Sequence, residues 1–405
     1  MSSVVVVLAI ALVAAVFMSF TVGANSNSAP VAPAVGANAL PVLRAALLVG
    51  VVAGLGAILQ GGSISQTIGN DLVTGVTITP LAAAATLITA ATLITIGNSR
   101  GYPIPSAFTV TGAAVGAGLA LGGGLAVNEY VRIFSFWLAI PIANATIAYV
   151  LARALRSEAI PESVGIPILA GGVGYALANI KLTIVPTASG AQGSIAHFLT
   201  QQYGPLPIHV LGTYTATVVL VSSVAGLIVA GISRLLIHRD RTAGINQFLV
   251  FLGLVVVFTS GGTQVGLATG PMESIFQSNL HVSSIYLLAL GGAGILLGAW
   301  IRSPQVIQVV SSEYASLGPR RSIAALIPAF LVAQLAIVFG IPVSFNNIMI
   351  SAIVGSGLAA RSSGGGGVSA RKAAFTVGSW VGSLFGAGVI SFALYYALSA
   401  VPGLA

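Results

Sequence analysis

The chain has 405 residues, a formal net charge of +8 and no cysteine; hydrophobic residues make up 56% of it and charged residues 5%, with a mean hydropathy of +1.03. Soluble domains carry about 25% charged residues, so a water-soluble globular fold is excluded. The absence of cysteine removes disulfide staples, thiolate zinc sites, iron–sulfur clusters and a cysteine nucleophile. The basic residues are scattered instead of gathered in one patch, which argues against a nucleic-acid partner and for a role in membrane topology.

A membrane-crossing helix needs about 20 apolar residues. In chain order, apolar segments run over 3–22, 42–60, 76–97, 104–126, 133–152, 164–184, 208–233, 245–262, 283–301, 322–340, 346–360 and 373–399. The short alternating strands of an outer-membrane barrel are missing. The expected fold is therefore an all-α polytopic membrane protein of about 12 segments. Residues 1–22 lack a basic leader and a small-residue cleavage site, so they read as a retained first helix. Segments 104–126 and 346–360 are expected to be broken or re-entrant.

Basic residues fall on alternate connections. Arg44; Arg100; Arg153 and Arg156; Arg234, Arg239 and Arg241; Arg302, Arg320 and Arg321; and Arg361, Arg371 and Lys372 lie in or beside the odd-numbered ones. Arg132 and Lys181 lie with the even ones. Basic connections stay cytoplasmic, which places both termini outside and 361–372 as a cytoplasmic loop of the cell membrane. The acidic residues Asp71, Glu129, Glu158, Glu162, Asp240, Glu273 and Glu313 read as loop or interfacial groups, and Glu162 as part of a solvated cytoplasmic face. The histidines His197, His209, His238 and His281 have no spaced partner for a metal.

The first segment runs into "TVGANSNSAP" (21–30). Unpaired amides and hydroxyls in hydrocarbon cost several kcal/mol each, so this tract must line a space enclosed by protein. A related tract, "SGGTQVGLATGPM" (260–272), ends the eighth segment. "RGYPIPSAFTVTGAAVGAGLA" (100–120) is echoed by "FGIPVSFNNIMISAIVGSGLA" (339–359). Gly23 maps to Gly261, an offset of 238, Gly101 to Gly340, an offset of 239, and Arg132 to Lys372, an offset of 240. An odd number of segments separates the two starts, so the repeats enter the membrane from opposite sides. The expected organisation is a first repeat at 1–185, a connection at 186–243 and a second, inverted repeat at 244–405. Inverted repeats with broken helices place a central site near the bilayer midplane and open it alternately to each side.

At these residues the chain resembles the inorganic phosphate transporter (PiT) family, which includes sulfate permeases. The family carries a G-A-N-D-V-A-N motif and then a G-L-P-V-S-T-T-H motif in each half. Here they read "GANSNSA" (23–29) and "GGTQVGL" (261–267), then "GYPIPSAF" (101–108) and "GIPVSFNN" (340–347). The resemblance covers nearly the whole chain in order. It implies sodium and substrate sites at the first motifs and anion contacts at the second. The motif aspartates fall on Ser26 and Gln264. Ser-Thr-Thr-His becomes Pro105, Ser106, Ala107 and Phe108, then Ser344, Phe345, Asn346 and Asn347.

A tetrahedral oxyanion needs hydrogen-bond donors and a positive local field, and helix N-termini supply both. "PIPSAF" and "GIPVSF" look like such starts. The candidate substrate-binding residues are Ser106, Ser344, Asn346, Asn347, Asn25 and Thr263. The candidate ion-binding residues are Asn25, Ser26, Ser28, Thr263 and Gln264, with sodium as the coupling ion, no other cofactor and no metal. Hydroxyls and amides inside membrane helices also serve simply to bind neighbouring helices, and Gly112, Gly116 and Gly118 read as close-packing positions. The expected function is secondary transport of an inorganic oxyanion, phosphate first and sulfate second. A passive anion channel, a non-transporting sensor and a homodimer with a second copy stay open; an enzyme is not expected.

Overall fold

The computed structural model describes residues 2–99, 104–157, 160–186, 192–204, 209–211, 214–315, 318–359 and 370–402. Gly101 and the stretch 361–369, which carries most of the expected cytoplasmic loop, lie outside them. Helix α1 (Ser2–Ser26) gives way to a 3₁₀ turn (Ala29–Val31) and the short α2 (Ala32–Gly36); α3 (Val42–Gln60) is followed by α4 (Gly62–Gln66) and a π turn (Thr67–Asp71). Next come α5 (Pro80–Ser99), α6 (Ser106–Ala120), α7 (Val127–Arg156), α8 (Glu162–Ala178), α9 (Ile195–Tyr203) and α10 (Ala216–Arg239). The second part holds α11 (Arg241–Thr269), a 3₁₀ turn (Gly270–Met272), a π turn (Ile275–Asn279), α12 (Ser284–Ala315), α13 (Gly318–Val338), α14 (Phe345–Leu358) and α15 (Ala370–Ser399). Three two-stranded ribbons lie in the connections, pairing Val73–Thr74 with Gly124–Leu125, Leu182–Pro186 with Gln192–Gly193, and His209–Leu211 with Tyr214–Thr215.

Among the described residues nine helices are long and apolar enough to cross a membrane, and three shorter apolar ones, α6, α8 and α14, join them. Every segment expected from the sequence has its helix. Helices α6 and α14 have 15 and 14 residues, so each rises only about 22 Å against a hydrocarbon core of about 30 Å. They cannot cross alone and begin inside the protein, as expected for broken segments. Helix α12 runs on past Arg302 to 32 residues in all. At about 48 Å it exceeds the hydrocarbon layer, which a tilt or a projecting end accommodates.

The packing exchanges partners between the two parts. Helix α1 lies along α12 while α11 lies along α3; α6 lies along α15 while α14 lies along α7. Contacts within each part also correspond, α1–α5 with α11–α13 and α5–α6 with α13–α14. Helices α8 and α10 pack chiefly on each other. Glycine sets the closest crossings. A Cβ on Gly23 would lie 2.3 Å from the Ile295 carbonyl oxygen, and one on Gly261 would lie 2.0 Å from that of Ala53. Likewise Gly298 meets the Phe20 carbonyl (2.1 Å) and Gly56 that of Phe258 (1.8 Å). The two sets correspond by 238 positions for α1 and α11 (20 to 258, 23 to 261) and by 242 for α3 and α12 (53 to 295, 56 to 298). Gly112 and Gly116 face the Leu384 and Gly388 carbonyls at 2.0 Å in the same way, and Gly355 faces Ala145 at 2.1 Å. Lipid tails give helices no hydrophobic reason to associate, so backbone proximity and dispersion supply the attraction.

Glu162 corrects one expectation. It is not part of a solvated face: it is 9% exposed, and its carboxylate joins Arg241 at 2.6 Å and also Arg320. This ties the start of α8 to the starts of α11 and α13. The three line a cavity of about 680 Å³ with Arg156 and Arg321.

Overpacking a tight contact costs about 1–3 kcal/mol. Gly261→Ala is therefore expected to lower the thermal midpoint of the detergent-solubilised protein by several degrees. Gly172→Ala, where a Cβ meets nothing within 4 Å, should leave it unchanged or raise it slightly. Equal midpoints for the two variants would show that the α3–α11 crossing tolerates a wider spacing.

Candidate functional site

Helix α11 presents successive polar residues to both parts of the chain. Its last three turns carry Thr259, Ser260, Thr263, Gln264 and Thr269, all at most 1% exposed. Starting from the N-terminal side, Thr259 accepts a hydrogen bond from Gln334 Nε2 (2.8 Å), and Gln334 and Gln60 exchange amide bonds at 3.2 and 3.3 Å. One residue on, Ser260 donates to Asn27 Oδ1 (2.5 Å). A turn later Gln264 accepts from Ser106 Oγ (3.0 Å) and donates from Nε2 to the Val343 carbonyl (3.3 Å).

Gln264 thus holds the two internal helix starts together. Ser106 is the first residue of α6, after Pro105 in an extended conformation; Ser344 is the N-cap of α14 and also extended. Proline before a helix start disfavours helical backbone upstream and pre-sets the turn. Upstream of α14 the chain turns at Gly340, whose φ of +64° suits glycine, with Ser63 O and Thr67 Oγ1 close by. The start of α14 is braced from the other part: Trp137 Nε1 donates to the Pro342 carbonyl (2.7 Å), and Asn144 Nδ2 to the Ile348 carbonyl (2.5 Å). Trp137 stacks on Phe108 of α6 with ring centroids 3.8 Å apart. The earliest amides of a helix have no partner within it, so unpaired N–H groups of both helices lie at the starts that Gln264 joins.

Two buried groups here lack a partner, Ser344 Oγ and Asn27 Nδ2. Both can donate. An unmade hydrogen bond at a buried donor costs about 1–3 kcal/mol.

The structure joins Ser106 to Gln264, whose amide also reaches the carbonyl of Val343 beside Ser344, and sets Asn27 against Ser260 one turn earlier on α11. Ser26 and Ser28 are buried, and Ser28 Oγ lies 2.5 Å from Ser303 Oγ on α12. Thr263 is fully buried and donates to the Ser260 carbonyl within its own helix (2.9 Å). Asn25, Asn346 and Asn347 are half-buried, the last two on the first turn of α14. Sequence reasoning does not single out Asn27, Ser260, Gln60, Gln334 or Ser303. Asn27 stands within the polar tract, and Gln60 and Gln334 are lone amides in apolar runs, which is itself a signal of a buried role. Glu273 is a second correction. Its place in the sequence suggests a loop or interface, yet it is 1% exposed and hydrogen-bonded to Ser65 at 2.6 Å.

These features define a polytopic α-helical membrane protein with two broken-helix units meeting on a buried polar seam. A family model for the phosphate transporter family matches residues 22–391; the chain belongs to that family. It is 26% identical over 376 residues to a Helicobacter pylori protein described as a "putative phosphate permease", covering 84% of this chain and 66% of that one. It is 24% identical over 413 residues to a Pyrococcus furiosus protein of the same description, covering 95% of each. An Arabidopsis thaliana protein, inorganic phosphate transporter 2-1, chloroplastic, is 25% identical over 390 residues, 85% of this chain and 64% of that one. The chain thus spans about two thirds of the length of the Helicobacter and Arabidopsis relatives. Among solved structures, one described as "The sodium-dependent phosphate transporter" superposes with a TM-score of 0.80 at 23% identity, covering 98% of this chain and 100% of that one. The two share a fold.

Without added phosphate, Ser106→Ala leaves the Gln264 carbonyl oxygen without its donor and should cost about 1–3 kcal/mol in detergent unfolding. Ser344→Ala removes a buried hydroxyl that has no partner and should leave stability unchanged or raise it, by up to about 1–3 kcal/mol. Equal losses would mean that Ser344 is held by a bond absent from this arrangement.

Proposed function

We propose that this protein is a secondary carrier of inorganic phosphate that works by alternating access and is driven by a co-transported cation. The observation that carries the reading is the pair of unpartnered buried donors, Ser344 Oγ and Asn27 Nδ2, beside two helix starts held by one amide. Phosphate offers acceptors on every face, which suits a site of neutral donors and free backbone N–H groups. Ser106, Ser344, Asn346, Asn347, Asn25 and Thr263 would contact the anion. Replacement of the motif aspartates by Ser26 and Gln264 removes negative charge that would repel it. Membership of the phosphate transporter family favours phosphate over sulfate. It also favours a transporter over an enzyme.

Moving one charge across 100 mV is worth about 2.3 kcal/mol. A dianion entering a negative-inside cell faces about 4.6 kcal/mol, more than a thousandfold exclusion at about 1.4 kcal/mol per decade. Accumulation therefore needs at least two cations per dianion. Sodium is the proposed ion, held in part by oxygens of Asn25, Ser26, Ser28, Thr263 and Gln264; the solved transporter that shares this fold is described as sodium-dependent. The proposed repeats are 1–185 and 244–405, joined by 186–243. The basic connections would face the cytoplasm of the cell membrane and both termini the outside.

The test is uptake of labelled phosphate and sulfate into proteoliposomes under imposed sodium and proton gradients. Ser344→Ala and Ser106→Ala are each expected to raise the half-saturating phosphate concentration about tenfold, as loss of roughly 1.4 kcal/mol of binding does. Saturation curves unchanged in both variants would refute this anion site. Single-channel currents without saturable flux would assign a channel instead.

A further inference from the structure

Where α11 ends, the backbone becomes irregular and buries a carboxylate. The 3₁₀ turn 270–272 and the π turn 275–279 flank Glu273, which is 1% exposed. π turns within helices are rare and concentrate at functional positions. The first part of the chain presses its own π turn, 67–71, against this point. A Cβ on Gly69 would lie 2.3 Å from the Gly270 carbonyl oxygen and 2.7 Å from Glu273 Cβ.

Glu273 Oε2 accepts from Ser65 Oγ (2.6 Å); Oε1 accepts from Gln277 Nε2 (2.7 Å) and from the Ser284 hydroxyl. Ser65 Oγ also lies 3.3 Å from Thr269 Oγ1. Among the described residues no cationic side chain pairs with this carboxylate, and the ion pairs present involve Glu129 and Glu162 instead. A buried carboxylate without a counter-charge costs several kcal/mol even when hydrogen-bonded. Here the neighbouring groups are mostly oxygens. Each hydroxyl that now donates can rotate and present a lone pair. Two carboxylate oxygens and the hydroxyls of Ser65, Thr269 and Ser284 form a hard-oxygen set with a single negative charge.

We propose that this cluster is a sodium site, with Glu273 as its charged ligand and Ser65, Thr269 and Ser284 as neutral ligands. One formal charge matches a monovalent ion, and oxygen ligands suit a hard one. The site lies about nine residues beyond Gln264, so it is separate from the polar tracts that took the place of the motif aspartates. Its ligands come from α4 on one side and, on the other, from the end of α11, the irregular turns after it and the start of α12. Occupancy therefore favours the arrangement in which these elements touch, which is what a coupling ion must do. That coupling role rests on the carrier reading above; the binding itself does not.

Equilibrium binding of ²²Na⁺ to the purified full chain in detergent, without phosphate and with choline holding ionic strength constant, tests the site directly. Glu273→Gln keeps the side-chain shape and is expected to bind one sodium ion fewer per chain than wild type. Ser65→Ala and Ser284→Ala keep the carboxylate and should each weaken binding at this site about tenfold, which also covers the case in which Glu273→Gln does not fold. No sodium bound by wild type, the same stoichiometry in Glu273→Gln, or unaltered affinity in both serine variants would overturn the proposal. In proteoliposomes, the charge moved per phosphate should fall by one in Glu273→Gln; sodium binding intact in a wild type that moves no phosphate would count against the carrier reading alone.

Discussion

Closure of the site depends on one amide performing two opposite tasks. Gln264 accepts from Ser106 at the start of α6 and donates to the Val343 carbonyl just before α14. A carboxylate in its place could still accept from Ser106, but it would set negative charge against a carbonyl oxygen. The amide is therefore matched to this arrangement in a way the family's aspartate is not. It fixes two helix starts whose helices are anchored elsewhere, α6 along α15 and α14 along α7, and Trp137 braces the same pair from α7.

Around that clasp the fold relies on small residues and not on bulk. The fully buried positions are dominated by alanine, and glycines let backbones cross at distances no side chain permits. Such contacts define the spacing between helices sharply, because dispersion falls off steeply with separation. Polar bonds then define rotation. Ser260 to Asn27, Gln334 to Thr259, and Ser28 to Ser303 each join helices distant in the chain. Each would be broken by turning one helix by a fraction of a turn. Spacing from glycine and rotation from hydroxyls and amides together make the seam specific.

Much of this is legible in the sequence. Helix α3 occupies the expected 42–60, and α6 and α14 begin at the residues where proline and serine announce a start. The offset of 238 from Gly23 to Gly261 also relates the crossing points on α1 and α11, whereas those on α3 and α12 are related by 242. What cannot be read is which polar group meets which. Ser26, Asn27 and Ser28 are equivalent in composition, and only the rotation of α1 against α11 and α12 decides that Asn27 meets Ser260 and Ser28 meets Ser303. Glu273 escapes for a different reason. Gly270 and Pro271 look like a helix end followed by an exposed loop, whereas the chain continues as irregular turns and stays inside. The burial of Glu162 is hidden because its partners, Arg241 and Arg320, lie 79 and 158 residues away.

The exchange of partners between α1 and α11 imposes a delay during biosynthesis. Asn27 and Ser260 are separated by 233 residues. At roughly 5–20 residues per second of translation, their bond cannot form until about ten to fifty seconds after α1 has been made. Through that interval the asparagines and serines that end the first helix have no permanent neighbour. The nascent chain must keep them near the aqueous rim of the bilayer, or inside the insertion machinery, and draw them inward only when α11 and α12 arrive.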